Sequence, residues 1–200
     1  LPNAVIPVVI ASVISLFLGL VAGYTGGLID SIIMRMIDVL LALPSVILAV
    51  AIAAAMGPSS RSVILATTLV IIAPLTRMVY SATREQTETE YVTAARAIGA
   101  PFGRILSRHL LPNVFAPVLV YATTIIGLLV VFTASLSFLG LGVSPPTAEW
   151  GLMVDEGRQV LSVAPHISSL PGLMIAITAL SFNLVGDGLR YALDPRQQTA

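Results

Sequence analysis

Long apolar runs separated by short polar stretches make up most of the chain. A bilayer core is about 30 Å thick and takes about 20 mostly apolar residues to cross as a helix. Five runs meet that length, at residues 4–23, 39–56, 62–81, 113–138 and 169–185. The pattern predicts an all-α membrane protein, a polytopic helical bundle with five spans.

The breaks between runs are marked by specific residues. Gly26 and Gly27 interrupt the helix after the first run, and Asp30, Arg35 and Asp38 set residues 24–38 at or outside the bilayer edge. The two acids either pair with Arg35 or stand solvated at a helix end. Gly19 and Gly23 have small-xxx-small spacing, which fits a close helix crossing as well as it fits glycine merely tolerated in a span. Pro44 falls in the first turns of the second run, where a missing donor is cheap or bends the helix. Gly57-Pro58-Ser59-Ser60 predicts a tight turn. Arg77, near the end of the third run, should face protein or reach back to the interface.

No charged residue occurs between Arg108 and Glu149. That interval is too long for one straight helix. Ser135, Ser137, Gly140, Gly142 and the Pro145-Pro146 pair mark where the chain leaves the bilayer. Residues 148–161 carry Trp150, Asp155, Glu156 and Arg158 and predict a short interfacial helix anchored by the indole. Gly186-Asp187-Gly188 should end the fifth span.

Composition sharpens this picture. The chain of 200 residues is 56% hydrophobic and 10% charged, whereas a soluble surface carries about 25–35% charged residues. Net charge is zero, so no basic field points to nucleic acid. The absence of Cys excludes disulfides and thiolate metal sites. All ten basic residues are Arg. The chain opens on Leu1, and its first charge is Asp30, which suggests a fragment whose beginning is missing. No basic segment precedes the first run, as a signal peptide would require.

The longest polar, arginine-bearing stretch is EYVTAARAIGAPFGRILSRHLLP, residues 90–112. Thr87 and Glu90 have the spacing of a capping box. Alanines and an arginine carry a helix over residues 88–98. Gly99 can adopt the left-handed conformation that ends a helix, and Pro101 then restarts one. A second short helix over 101–109 should stop before Pro112. Ala94 and Ala95 are small enough for close docking, and Arg96 offers a fork to a carboxylate.

This stretch resembles the EAA loop of permease subunits in binding-protein-dependent ABC importers, E-A-A-x3-G-x9-I-x-L-P. Ala94, Ala95, Gly99, Leu111 and Pro112 match. Thr93 stands where the pattern has Glu, and His109 where it has Ile. Glu90, one turn before Thr93, puts a carboxylate on nearly the same face. The runs GYTGGLIDSIIMRMIDVLLALPS, ARAIGAPFGRILSRHLLPN, SLSFLGLGVSPPTAEWG and FNLVGDGLRYALDPR are similar to the peptide- and nickel-type branch, specifically the second permease of the pair.

The resemblance implies the type I ABC importer permease fold, with five spans here of a usual six. It implies a single transmembrane domain over residues 1–200, a cytoplasmic coupling loop over 83–112 and an extracytoplasmic loop over 139–168. Glu90, Thr93, Ala94, Ala95, Arg96 and Gly99 would form the coupling element that docks on an ATPase subunit. The implied partners are a second homologous permease, two ATPase subunits, an extracytoplasmic substrate-binding protein and membrane lipid. With the Glu90 loop in the cytoplasm, eight arginines lie inside and only Arg61 and Arg158 outside, as the positive-inside rule favours. The start of the chain is then outside and its tail inside.

No catalytic constellation accompanies these features. A G-x-x-x-x-G-K-[ST] loop is absent, so the chain should hold no cofactor of its own, with ATP and Mg²⁺ bound by the partner subunits. His109 and His166 fall on opposite predicted sides. Ser135 and Ser137 lack a nearby base and suit helix packing or gating. Asp187 and Asp194 fit cap and tail charges. The spans carry no run of ionisable groups, which argues against a proton-coupled carrier. The expected function is import of di- or oligopeptides. Nickel chelates and glutathione are alternative cargoes, and a secondary carrier or a membrane scaffold is the alternative of a different class.

Overall fold

The computed structural model describes residues 1–193. These form helices α1 (Pro2–Thr25), α2 (Gly27–Ala42), α3 (Ser45–Met56), α4 (Ser60–Thr87), α5 (Glu90–Ala97), α6 (Phe102–Ile105), α7 (Leu111–Phe138), α8 (Trp150–Arg158) and α9 (His166–Leu193), with a π-helical turn at Leu106–Leu110 joining α6 to α7. Four helical segments are long and apolar enough to cross a membrane: α1, α4, the continuous stretch Phe102–Phe138, and α9. A fifth crossing is available to α2 and α3 taken together, although they meet at 87°.

Helix α4 is the centre of the bundle. It packs along α1 and also touches α2, α3 and α7. Its inward face carries Val63, Ala66, Ile71, Leu75 and Val79, all buried. Lipid tails are as apolar as leucine, so burial alone cannot drive this contact, and close backbone approach must. Gly19 and Gly23 supply that approach, because a Cβ at Gly23 would come 2.7 Å from Thr83 Cβ. Ser15 adds a polar tie, donating to the Ile72 carbonyl at 3.1 Å and sitting 3.0 Å from the Thr76 hydroxyl. The same device recurs along the chain. Gly127 of α7 lies against Asn183 of α9, Gly186 of α9 against Thr124, and Gly151 of α8 against the backbone of Ala134.

Several sequence expectations change. The second span does not run as one helix over 39–56. Pro44 stands outside the helices, as the N-cap of α3, and the chain turns there. Proline removes a donor and pushes the residue before it out of the α region, and Leu43 is extended at φ −90°, ψ 130°. Residues 27–42 thereby form a helix of their own. Neither Asp30 nor Asp38 pairs with Arg35. Asp38 instead pairs with Arg77 of α4, and Asp30 accepts from the Tyr80 hydroxyl at 3.1 Å. Arg77 thus faces protein while about half exposed.

Helix α4 continues past the expected polar boundary at Thr83, as far as Thr87. The Thr87–Glu90 capping box does not form. Thr87 donates back to the Arg84 carbonyl at 2.7 Å, and Thr89 is the N-cap of α5. A hydroxyl inside a helix has its own i−3 carbonyl within reach, and that local bond wins here. Gly186 and Gly188 do not end the last span, which runs on to Leu193. Gly186 lies instead where α9 presses on α7. Gly140 does end α7. Its φ is +76°, with Gly140 and Leu141 donating back to the carbonyls of Ser137 and Leu136. A short helix forms within the stretch 148–161 as α8, starting at Trp150. Asp194 and Arg196 lie outside the described residues.

Candidate functional site

At one end of the bundle α5 sits between the foot of α4 and the start of α6. Two of its eight residues, three positions apart, face inward and the other six are exposed. Val92 and Ala95 are buried, in a cluster with Leu20, Val79, Ile105, Leu110 and Val114. Glu90, Thr93, Ala94 and Arg96 are exposed. The helix is therefore pinned by one apolar edge and offers the opposite face outward. Ala95 seats it on the chain's own core, and Ala94 is the small residue left on the open side.

Gly99 ends α5 with φ +75°. Its N–H donates to the Arg96 carbonyl at 3.0 Å, and that of Ala100 reaches the Ala95 carbonyl at 3.0 Å. These two bonds make a Schellman ending, with Ala100 back in contact with the cluster that holds Ala95. Pro101 then caps α6 in an extended conformation. Nothing lies within 4 Å of where a Gly99 side chain would begin. The glycine is thus required for its backbone angle alone.

The expected stop before Pro112 is absent. The helix carries through as α6, the π turn and α7. Pro112 has no N–H for the Arg108 carbonyl, and the extra residue of the π turn absorbs the mismatch. Leu111 donates to Leu106 across five residues, and the Asn113 side-chain amide donates to the His109 carbonyl at 2.6 Å. His109 takes part through its backbone carbonyl, and its ring lies 6.1 Å from that of Tyr91.

Aromatic residues outside the motif hold the elbow. The Arg96 guanidinium lies 4.7 Å from the centroid of the Tyr24 ring, and Tyr24 meets Phe102 at 5.2 Å. One stack thus links the end of α1 to α5 and α6. On the other side, the Tyr91 hydroxyl donates to Gln86 at 2.7 Å and accepts from Asn113 at 3.2 Å. Sequence reading missed Tyr24, Tyr91 and Phe102. Tyr24 is 72 positions from Arg96 in the chain, and no local pattern signals such a pairing. Arg96 is also less free than its sequence suggests, because its charge rests on a ring face.

Near the elbow, a cavity of about 540 Å³ opens between α4, α7 and α9, lined among others by Met78, Tyr121, Asp187 and Arg190. Ile98 projects beside Gly99 and is 85% exposed. No group of three or more metal-ligating acids or histidines occurs among the described residues.

Comparison with known proteins agrees with this architecture. Residues 15–199 match the family described as binding-protein-dependent transport system inner membrane component. The chain is 42% identical over 196 residues to a glutathione transport system permease protein of Pectobacterium atrosepticum, covering 98% of this chain and 65% of that protein. It is 43% identical over 182 residues to a dipeptide transport system permease protein of Alkalihalophilus pseudofirmus, covering 91% and 60%. A glutathione transport system permease protein of Escherichia coli O157:H7 is 44% identical over 194 residues, covering 93% and 64%. The chain thus spans a little under two thirds of the length of these relatives. An all-helical bundle with a glycine-jointed elbow, matched over nearly its whole length, belongs to the family of binding-protein-dependent transport system inner membrane components.

Proposed function

We propose that this chain is a permease subunit of an ATP-driven importer of small peptides and forms half of the translocation path. The observation that carries the reading is the exposed face of α5, fixed at a set angle by Gly99. An ATPase that closes on ATP needs a rigid peg on the membrane subunit through which to push. Helix α5 is rigid because Val92 and Ala95 anchor it, and Tyr91 ties it to Gln86 and Asn113. Glu90, Thr93, Ala94 and Arg96 form the contact, Ala95 seats the peg, and Gly99 sets its angle.

The partners are a second, homologous permease, two ATPase subunits and an extracytoplasmic binding protein. ATP and Mg²⁺ belong to the ATPase subunits. The elbow faces the cytoplasm, where eight of the ten arginines then lie. The far end, with α8, faces outward to the binding protein. Relatives at 42–44% identity are named for glutathione and for dipeptides, and both cargoes are small peptides.

Reconstitution of the complete complex in proteoliposomes tests this. ATP-dependent uptake of labelled dipeptide or glutathione is the expected result, and the better substrate assigns the cargo. Uptake driven by an ion gradient without any ATPase would replace the importer by a secondary carrier. A purified complex lacking any ATPase, and inert with either peptide, would leave only a scaffold.

A further inference from the structure

Helix α2 has a break at each end. Gly26 and Gly27 at its start adopt φ of +64° and +63°, and beyond its end the chain turns by 87° at Leu43 and Pro44. A helix broken off from both neighbours is not aimed by the chain on either side. Its lateral contacts set where it lies, and those are with α1 and α4. Ile37 is buried in the cluster that holds Ile71 and Leu75 of α4.

Two polar ties complete the attachment. Asp30 accepts from the Tyr80 hydroxyl, and Asp38 pairs with Arg77. Both partners stand on α4, while the two acids lie eight positions apart on α2, about 12 Å at the rise of a helix. One contact would leave a helix free to pivot about it. Two contacts that far apart fix its direction as well. Arg77 lies within the apolar run at 62–81, on a helix long and apolar enough to cross a membrane. A charge at that depth is costly, and such residues mark function more often than simple adhesion. Close packing alone joins α1 to α4 at Gly19 and Gly23. An ion pair adds a single permitted register, because the two charges meet in one arrangement.

Helix α4 also leads to the elbow. It runs unbroken from Arg77 to Thr87, with its proline, Pro74, on the other side of Arg77. That length is about 15 Å, and α5 begins at Glu90. We infer that Asp38 and Arg77 are positioning residues that make α2 move with α4, so that displacement of the elbow reaches α2 and is taken up at the Leu43–Pro44 break. The Asp30–Tyr80 bond is the second point of the same attachment. The force at the elbow is that of the proposed ATPase, so this role rests on the importer reading.

The test uses the complete complex in proteoliposomes and reads peptide taken up per ATP hydrolysed. A residue that only stabilises the fold lowers uptake and hydrolysis together and leaves this ratio alone. Asp38→Asn and Arg77→Gln should each lower the ratio by about fivefold or more, the ordinary scale of coupling between sites. The exchanged pair, Asp38→Arg with Arg77→Asp, should return it to within about twofold of the parent. Arg35→Gln removes a charge from the same helix and should stay within about twofold. An unchanged ratio in Arg77→Gln would overturn the role. So would an exchanged pair no better than the single variants, or an equal loss in Arg35→Gln.

A distance measurement stands apart from transport. Spin labels on Ser31→Cys of α2 and Ser81→Cys of α4, both exposed positions, are placed in the complex cleared of other cysteines. They should keep one distance with and without ATP, and Arg77→Gln should broaden it. A distance that shifts with ATP in the parent, or stays sharp in Arg77→Gln, would overturn the tie. If ATP-dependent uptake is absent while the distance holds and broadens in Arg77→Gln, the import reading falls and the tie stands.

Discussion

Gly19 of α1 lies so close to Val79 of α4 that a Cβ added to the glycine would come 2.6 Å from the valine Cβ and 2.9 Å from the Tyr80 nitrogen. No side chain fits there without moving a backbone. Val79 is fully buried, so it has no room to retreat. Gly19→Ala should therefore part α1 from α4 and lower stability by about 1–3 kcal/mol, the usual cost of overpacking. Gly172→Ala in α9 is the matched control, because nothing lies within 4 Å of that position, and a helical Gly→Ala change is neutral or favourable by up to about 1 kcal/mol. Thermal unfolding of the two variants in the same detergent should separate them. Equal melting temperatures would show that the α1–α4 approach is looser than described.

Gly99 tests a different property, since its surroundings are open and only its φ of +75° matters. Alanine there should cost about 1–2 kcal/mol of local conformational energy. Valine, branched at Cβ, should cost more and tilt α5 or unwind its last turn. Gly99→Val should leave the bundle folded and reduce transport-coupled ATP hydrolysis well below that of Gly99→Ala. The measurement is ATPase activity with and without loaded binding protein. Full stimulation in Gly99→Val would detach the elbow from coupling.

The contact of Arg96 with Tyr24 fixes one corner of the elbow at a centroid distance of 4.7 Å. Exposed cation–π pairs are worth about 0.5–1 kcal/mol. A double-mutant cycle of Arg96→Gln and Tyr24→Leu, read by thermal unfolding, should show coupling of about that size. Arg96→Lys should keep part of it, because an ammonium retains the charge but not the planar stack. Coupling near zero would free Arg96 for an external carboxylate instead.

The sequence carried the helices and their breakers because periodicity and φ restriction are local. Gly26, Gly99 and Gly140 all adopt positive φ where turns were expected, and residues 90–112 form the expected helix–glycine–helix elbow. Some failures arose where a distant partner decided the outcome, others where a local bond or break did. Gly186 read as a stop, but it packs on Thr124 of α7 and the helix runs on. Asp38 had Arg35 one turn away and took Arg77 instead, 39 residues on. Thr87 had Glu90 at capping distance and used its own helix's carbonyl. Pro44 was expected either to be tolerated or to bend the helix, and it marks an 87° break between α2 and α3, because a sequence window cannot tell a bend from a break. Ala94 and Ala95 look alike in the motif, and only the fold shows that one faces out and the other in.

Sidedness is the last quantity that residues alone can test, and the chain suits the experiment because it has no cysteine of its own. Ile98, beside the elbow, and Val163, in the loop after α8, are 85% and 86% exposed. Both are at loop positions outside the long helices, so cysteine at either site should not disturb packing. On the proposed orientation, with the elbow in the cytoplasm, Val163→Cys in intact cells should react with a membrane-impermeant maleimide. Ile98→Cys should react only after the membrane is opened. A second readout separates exposure from docking. If an ATPase docks on the elbow as proposed, Ile98→Cys in the assembled complex should remain slow even in opened membranes and should become fast when that subunit is stripped away. Labelling of Ile98→Cys from outside would invert the topology and remove α5 from the ATPase altogether.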